Sequence, residues 1–214
     1  MYQLLKDRTE AGKLLAGSLI NYKNATDTIV LALPRGGVPV AYEISMKLNL
    51  PMDLVIVRKL GHPGHEEYAM GAITFGDIFY INPDVAYKID INAPDIQAII
   101  KKERQEYFRR NQLYRNNKPM PDVKGKRIIL VDDGVATGSS IIAAIMALKE
   151  LSPKEIVVAV PILPPDTLSN LKSLVTKVIF LYTPEPFGSV GSWYEDFPQT
   201  EDDEVIKLCA KANK

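Results

Sequence analysis

The chain has 214 residues, 46% of them apolar, and its 26 Lys plus Arg balance 26 Asp plus Glu. The length suits a single α/β domain with a small appendage, while the zero net charge excludes a whole-molecule basic field and with it the expectation of a nucleic-acid partner. One cysteine, Cys209, excludes a disulfide framework, and no apolar run reaches the about 18 residues of a membrane span, so the expected protein is cytoplasmic with no membrane partner.

Asp7, Arg8, Thr9 and Glu10 precede Leu14, Leu15, Leu19 and Ile20, which predicts a capped helix over about residues 8 to 22. Thr28 to Leu33 is a short β-rich run that stops at Pro34-Arg35-Gly36-Gly37, after which Val40, Ala41, Ile44 and Leu48 recur at helical spacing. Leu54 to Val57 reads as a second buried strand ending in Arg58-Lys59. It opens into Gly61-His62-Pro63-Gly64-His65-Glu66-Glu67, a composition that predicts a loop. The His and Glu residues of that loop lack the His-Glu-x-x-His spacing of a helical metal site. Residues 69 to 82 suggest a hairpin around Gly76-Asp77. Pro94 begins a long polar helix to about Arg115, in which Glu103 and Glu106 alternate with Lys and Arg, and residues 116 to 124 read as a linker.

The strongest strand is Arg127 to Val131, followed by Asp132 to Ser140 and an apolar helix from Ile141 to Leu151. Ile156 to Val160 and Val178 to Leu181 read as strands, with a helix from about Pro165 to Leu174 between them. Short apolar strands alternating with helices imply an α/β, doubly wound, mainly parallel sheet, with a core over about residues 28 to 182. The tail from 183 to 214 mixes acids, Gly and Pro with Phe187, Trp193, Tyr194 and Phe197, a composition suited to a small C-terminal hood or flap.

Ligands of open parallel sheets bind at the carboxyl ends of the strands, where a Gly-rich turn aims backbone N–H groups and a helix dipole at a phosphate. Gly134 to Ser140 suits that task, yet it lacks the Lys of a Walker loop and the Gly spacing of a dinucleotide fingerprint. Asp132 and Asp133, just before it, would repel a polyanion unless their work is to hold sugar hydroxyls or a cation.

The run Ile128-Ile129-Leu130-Val131-Asp132-Asp133-Gly134-Val135-Ala136-Thr137-Gly138-Ser139 resembles the fingerprint of the type I phosphoribosyltransferases. That resemblance implies transfer of the phosphoribosyl group of 5-phosphoribosyl 1-pyrophosphate (PRPP) to a nitrogen acceptor, usually a nucleobase, with release of pyrophosphate. By the same resemblance Asp132 and Asp133 hold the ribose hydroxyls and, through water, Mg2+, and with Arg35 they carry the catalysis. Val135, Ala136, Thr137, Gly138, Ser139 and Ser140 wrap the 5-phosphate. Arg35, Gly36 and Gly37 form the pyrophosphate loop, with a cis bond between Pro34 and Arg35, and Arg58 and Lys59 add charge. Gly61 to Tyr68 takes the place of a mobile lid, Phe187 and Trp193 are candidates to stack an acceptor base, and the chain is expected to form a homo-oligomer, a dimer. Two other functions stay open: a PRPP sensor without turnover, and a PRPP-using enzyme with a non-base acceptor.

Overall fold

Five strands, β1 (Thr28–Ala32), β2 (Met52–Leu54), β6 (Arg127–Val131), β7 (Glu155–Ala159) and β8 (Lys177–Ile179), form a parallel sheet in the order β2-β1-β6-β7-β8. The computed structural model describes residues 3–63, 65–74, 79–81, 89–116 and 118–212, and the backbone alone at 65–69, 79 and 80. It divides into two compact units, one of Met1–Leu54, Pro121–Gly138 and Leu151–Lys214, the other of Val55–Met120 and Ser139–Glu150.

The first unit holds the parallel sheet. All five residues of β1 are buried, and β6 and β7 are buried except for their first residue, the pattern of strands covered on both faces. Helix α2 (Gly37–Leu48) packs on β1, β2 and β6, with Val38, Val40, Ala41, Ile44 and Leu48 buried, and ends at Asn49 in the left-handed conformation. Helices α1 (Arg8–Ser18) and α6 (Asp202–Ala212) pack against α2, and α5 (Pro165–Leu174) packs against β8. The start of α1 is capped as its sequence implies: the Asp7 carboxylate accepts from the Glu10 N–H at 2.7 Å, and Glu10 Oε2 accepts from the Lys6 N–H at 2.7 Å.

Strand order and register position the site. The chain winds one way from β1 to β2 and the other way from β6 through β7 to β8, so the winding reverses between β1 and β6. These two strands pair in level register, Thr28 opposite Arg127 through Ala32 opposite Val131, and they end side by side. The Leu33 N–H donates to the Val131 carbonyl at 2.9 Å and carries the pairing one residue further.

In the second unit, β3 (Arg58–His62), β4 (His65–Ile73) and β5 (Phe79–Ile81) form an antiparallel sheet. Helix α3 (Pro94–Arg115) packs on β3 and β4, and α4 (Ser139–Glu150) packs on all three strands. The hairpin expected over 69 to 82 is formed by β4 and β5, while its turn, 75–78, lies outside the described residues. Two expectations are corrected. The strand expected over Leu54 to Val57 is the three residues Met52–Leu54, after which Val55 and Ile56 remain buried without pairing in the parallel sheet. Of the segment Gly61 to Tyr68, expected as a loop, Gly61 and His62 are built into β3 and His65 to Tyr68 into β4. Buried Leu60 on one strand and Met70, Ala72 and Ile73 on the other anchor the ribbon, and the register shifts on either side of Gly61 absorb the irregular sequence as a bulge.

Candidate active site

The site forms in the first unit where β1 and β6 end together. The Pro34–Arg35 peptide after β1 is cis, as the sequence resemblance implied, and α2 starts directly after Gly36. Gly36 has ordinary helical dihedrals, φ −60° and ψ −33°, so its role is space: a Cβ there would overlap the Asp133 carboxylate. After β6, Asp132 and Asp133 stand against this turn, and the Asp133 N–H donates to Asp132 Oδ1 at 2.9 Å. The chain then runs through residues 134–138. Val135 N–H donates to the Ile162 carbonyl at 2.9 Å, the Ala136 carbonyl accepts from Thr167 Oγ1 at 2.7 Å, and Gly138 takes φ +80°, which its lack of a side chain permits.

Arg8 dominates the electrostatics. Its Nε donates to Asp133 Oδ2 at 2.8 Å, its Nη1 donates to the Pro198 carbonyl at 2.7 Å, and its guanidinium lies 3.8 Å from the centre of the Phe197 ring. Phe197 stacks on Tyr194 with ring centres 4.7 Å apart, and the Tyr194 hydroxyl donates to the Asp133 carbonyl at 2.6 Å. Burial, and then the charge of Asp133, push the Asp132 carboxyl well above the ordinary carboxylate range. Asp133 is also raised by burial, against the opposing pull of Arg8. The Tyr194 phenol is pushed up by burial and by Asp133. Two part-buried carboxylates thus adjoin the Arg8 guanidinium, which pairs directly with Asp133.

A cavity of about 350 Å³ opens here, lined by Arg8, Arg35, Gly36, Asp133, Phe197, Pro198, Gln199 and Thr200. Arg35 Nη1 lies 3.5 Å from Asp202 Oδ1 and 3.7 Å from Glu201 Oε2, at the start of α6. With its amide oxygen turned inward, Gln199 accepts from the same guanidinium.

A phosphoribosyl transferase domain profile matches residues 79–188, just over half of the 214 residues. The chain belongs to the phosphoribosyl transferase family. Two proteins of Mycobacterium tuberculosis, from strains CDC 1551 and H37Rv and provisionally named phosphoribosyl transferases, are 36% identical to it over 212 residues. The match takes in 99% of this chain and 48% of theirs, so the chain spans about half the length of the curated relatives it matches. The crystal structure of a Thermus thermophilus protein is 35% identical, covers 99% of this chain and 100% of its own, and superposes with a TM-score of 0.87. A hypoxanthine-guanine phosphoribosyltransferase from Bacillus anthracis is 11% identical, covers 93% of this chain and 96% of its own, and has a TM-score of 0.50, a likeness of fold alone.

Within this phosphoribosyl transferase fold, Arg35, Gly36, Gly37, Asp132 and Asp133 come together, with Val135 to Gly138 leading away from the acidic pair. Ser139 and Ser140 open α4 in the second unit. Arg58 and Lys59 lie on β3 in that unit, where Arg58 Nη2 and Nε reach Glu103 Oε2 of α3 at 2.6 Å and 2.8 Å. Trp193 Nε1 donates to the Phe187 carbonyl at 2.7 Å, and both rings pack on a cluster of Leu5, Ala11, Ile162 and Tyr194. The aromatic on the cavity wall is Phe197. The side chains of residues 64–69, including His65, Glu66 and Glu67, lie outside the described residues. Sequence reasoning assigned Arg8 to the start of a helix and missed it at the site. The one available signal was a cation in a first turn, where the helix dipole disfavours positive charge.

Proposed function

We propose that the protein transfers the 5-phosphoribosyl group of PRPP to a nitrogen acceptor, with magnesium, and releases pyrophosphate. The observation that carries this reading is the level pairing of β1 with β6, which sets the Pro34 to Gly37 turn against the Asp132 and Asp133 carboxylates. A Gly-rich turn with an arginine suits an anionic leaving group, and an acidic pair beside it suits ribose hydroxyls and a cation. A substrate with phosphate at both ends of a ribose satisfies both.

Among the described residues no group of three or more His, Cys, Asp and Glu gathers as a metal cage. The donor set fits Mg2+ nonetheless, because that ion keeps much of its water and takes one or two carboxylates together with substrate oxygens. Asp132 and Asp133 would hold it, and when bound it would offset charge on the departing pyrophosphate. The protein's own contribution is positional and electrostatic. As pyrophosphate leaves, positive charge builds on the ribose ring, and the field of the acidic pair favours it. Arg35 exchanges the carboxylates of Asp202 and Glu201 for the leaving group, and Val135 to Gly138 hold the 5-phosphate through the backbone.

Calorimetry of PRPP with the full chain tests this. Binding is expected with Mg2+ and lost in excess chelator. Replacing both acids, Asp132→Asn with Asp133→Asn, is expected to weaken binding at least about a hundredfold, since charge-assisted bonds are lost at two groups, with an unchanged circular dichroism spectrum. Unchanged affinity in the double variant would overturn the reading. Pyrophosphate release across a panel of purines, pyrimidines and other amines identifies the acceptor, and binding without release from any of them would favour a sensor.

A further inference from the structure

Arg8 is the first residue of α1, where its charge opposes the helix dipole, so helix formation does not account for it. Its place is set from both sides. Before it, Leu5 N–H donates to the Trp193 carbonyl at 3.0 Å, Glu195 N–H to the Leu5 carbonyl at 2.8 Å and Asp196 N–H to the Lys6 carbonyl at 2.9 Å, which ties the N-terminal strap to the hood. Beyond it, the guanidinium is held between the Asp133 carboxylate and the Phe197 ring, with its side chain only 10% exposed. Asp133 is thereby gripped twice, on its carboxylate by Arg8 and on its carbonyl by Tyr194, and Phe197 links the two by lying under Arg8 and against Tyr194.

We propose that Arg8 is a positioning residue: by closing this ring of contacts it fixes the Asp133 carboxylate against the Gly36 turn, in the orientation in which the acidic pair meets PRPP. The ligand in this proposal rests on the function proposed above, whereas the geometry does not. A planar guanidinium is required, because one group must donate in the plane to Asp133 and Pro198 while presenting its face to Phe197, and an ammonium on a lysine stem cannot do all three.

The test uses the full chain with Arg8→Ala and Arg8→Lys, and reads two things. Crystal structures of wild type and Arg8→Ala without ligand report the Asp133 side chain, which is expected to leave its wild-type rotamer in the variant. Calorimetry with PRPP and Mg2+ is expected to show affinity reduced about tenfold to a hundredfold in both variants, the loss of a charge-assisted bond. Added methylguanidinium is expected to restore part of that affinity in Arg8→Ala, with no effect on wild type, a rescue that a packing role would not give. An Asp133 rotamer unchanged in Arg8→Ala overturns the proposal. So does weakened binding that methylguanidinium leaves unrestored while the thermal midpoint stays near wild type. PRPP affinity that rises in Arg8→Ala also overturns it, since Arg8 would then be a plug over the site. If wild type itself fails to bind PRPP, the proposed function falls and the rotamer comparison still decides the role of Arg8.

Discussion

At Gly36 the absence of a side chain matters for a reason that dihedral angles do not reveal. The residue sits in ordinary right-handed helical space, where any amino acid is comfortable, and the space its Cβ would need is filled by the Asp133 carboxylate. That carboxylate cannot simply swing aside while Arg8 Nε holds it at 2.8 Å. Gly36→Ala is therefore expected to destabilise the chain by about 1 to 3 kcal/mol, the usual cost of overpacking, and to weaken PRPP binding at least about tenfold. Denaturant unfolding and calorimetry measure the two effects. A variant with wild-type values for both would show that the turn and the acidic pair are not packed as described.

Among the elements, the segment after β8 shares one apolar cluster among its aromatic residues. Phe187, Trp193 and Phe197 all pack on the cluster formed by Leu5, Ala11, Ile162 and Tyr194, and Phe197 alone of these three also lines the cavity, beneath Arg8. Removing the half-buried indole in Trp193→Ala is expected to cost about 2 to 3 kcal/mol in denaturant unfolding and to leave PRPP affinity within about twofold. Unchanged stability with a raised acceptor KM would return Trp193 to the acceptor-binding role that its position in the tail suggested. In α3, Glu106 accepts from Arg109 at 2.7 and 3.0 Å and from Arg110 at 2.7 Å. The hydrogen bond from Arg109 leads in lowering its carboxyl from 4.5 to about 2. A carboxyl lowered on folding stabilises the folded chain above its unfolded value, so this contribution is intact above pH 4.5 and is lost as pH falls toward about 2. Water screens these part-exposed groups, so Glu106→Gln is expected to lower stability by only about 1 kcal/mol at pH 7 and by almost nothing near pH 2. A difference of equal size at both pH values in denaturant titrations would remove the ion pairs as its cause.

For the whole molecule, the reversal of winding between β1 and β6 is the fact from which the rest of the site follows. Helices cannot fill the space above both strand ends when the chain departs in opposite directions, so a crevice is left there. Anything that binds this crevice in the folded chain alone stabilises that chain by mass action. PRPP with Mg2+ at a hundred times its dissociation constant is expected to add about 2.7 kcal/mol. In a chain of this size that raises the thermal midpoint by about 5 to 10 °C. Chelator is expected to abolish most of the shift, and a shift of the same size with and without metal would contradict the magnesium requirement.

The sequence alone was enough for strands β1, β6 and β7, the capped α1, the Pro94 and Pro165 helix starts and the acidic pair with its following turn, because each is encoded within about a dozen adjacent residues. Apolar runs, caps and Gly-rich turns act through neighbours in the chain, and such signals survive in one dimension. The hairpin of β3 and β4 was hidden because Gly, His and Pro near residues 61 to 65 read locally as a loop, while what holds the ribbon is cross-strand pairing and buried Leu60 and Met70. The ring around Asp133 was hidden for a related reason. Arg8 lies 125 residues from Asp133 and Tyr194 lies 61 from it, so only the register of β6 and the pairing of Leu5 and Lys6 with residues 193–196 decide that they meet. Local composition determined which chemistry the chain carries, and tertiary packing decided which cation and which aromatic ring stand beside it, because those choices depend on distances that no short stretch of sequence contains.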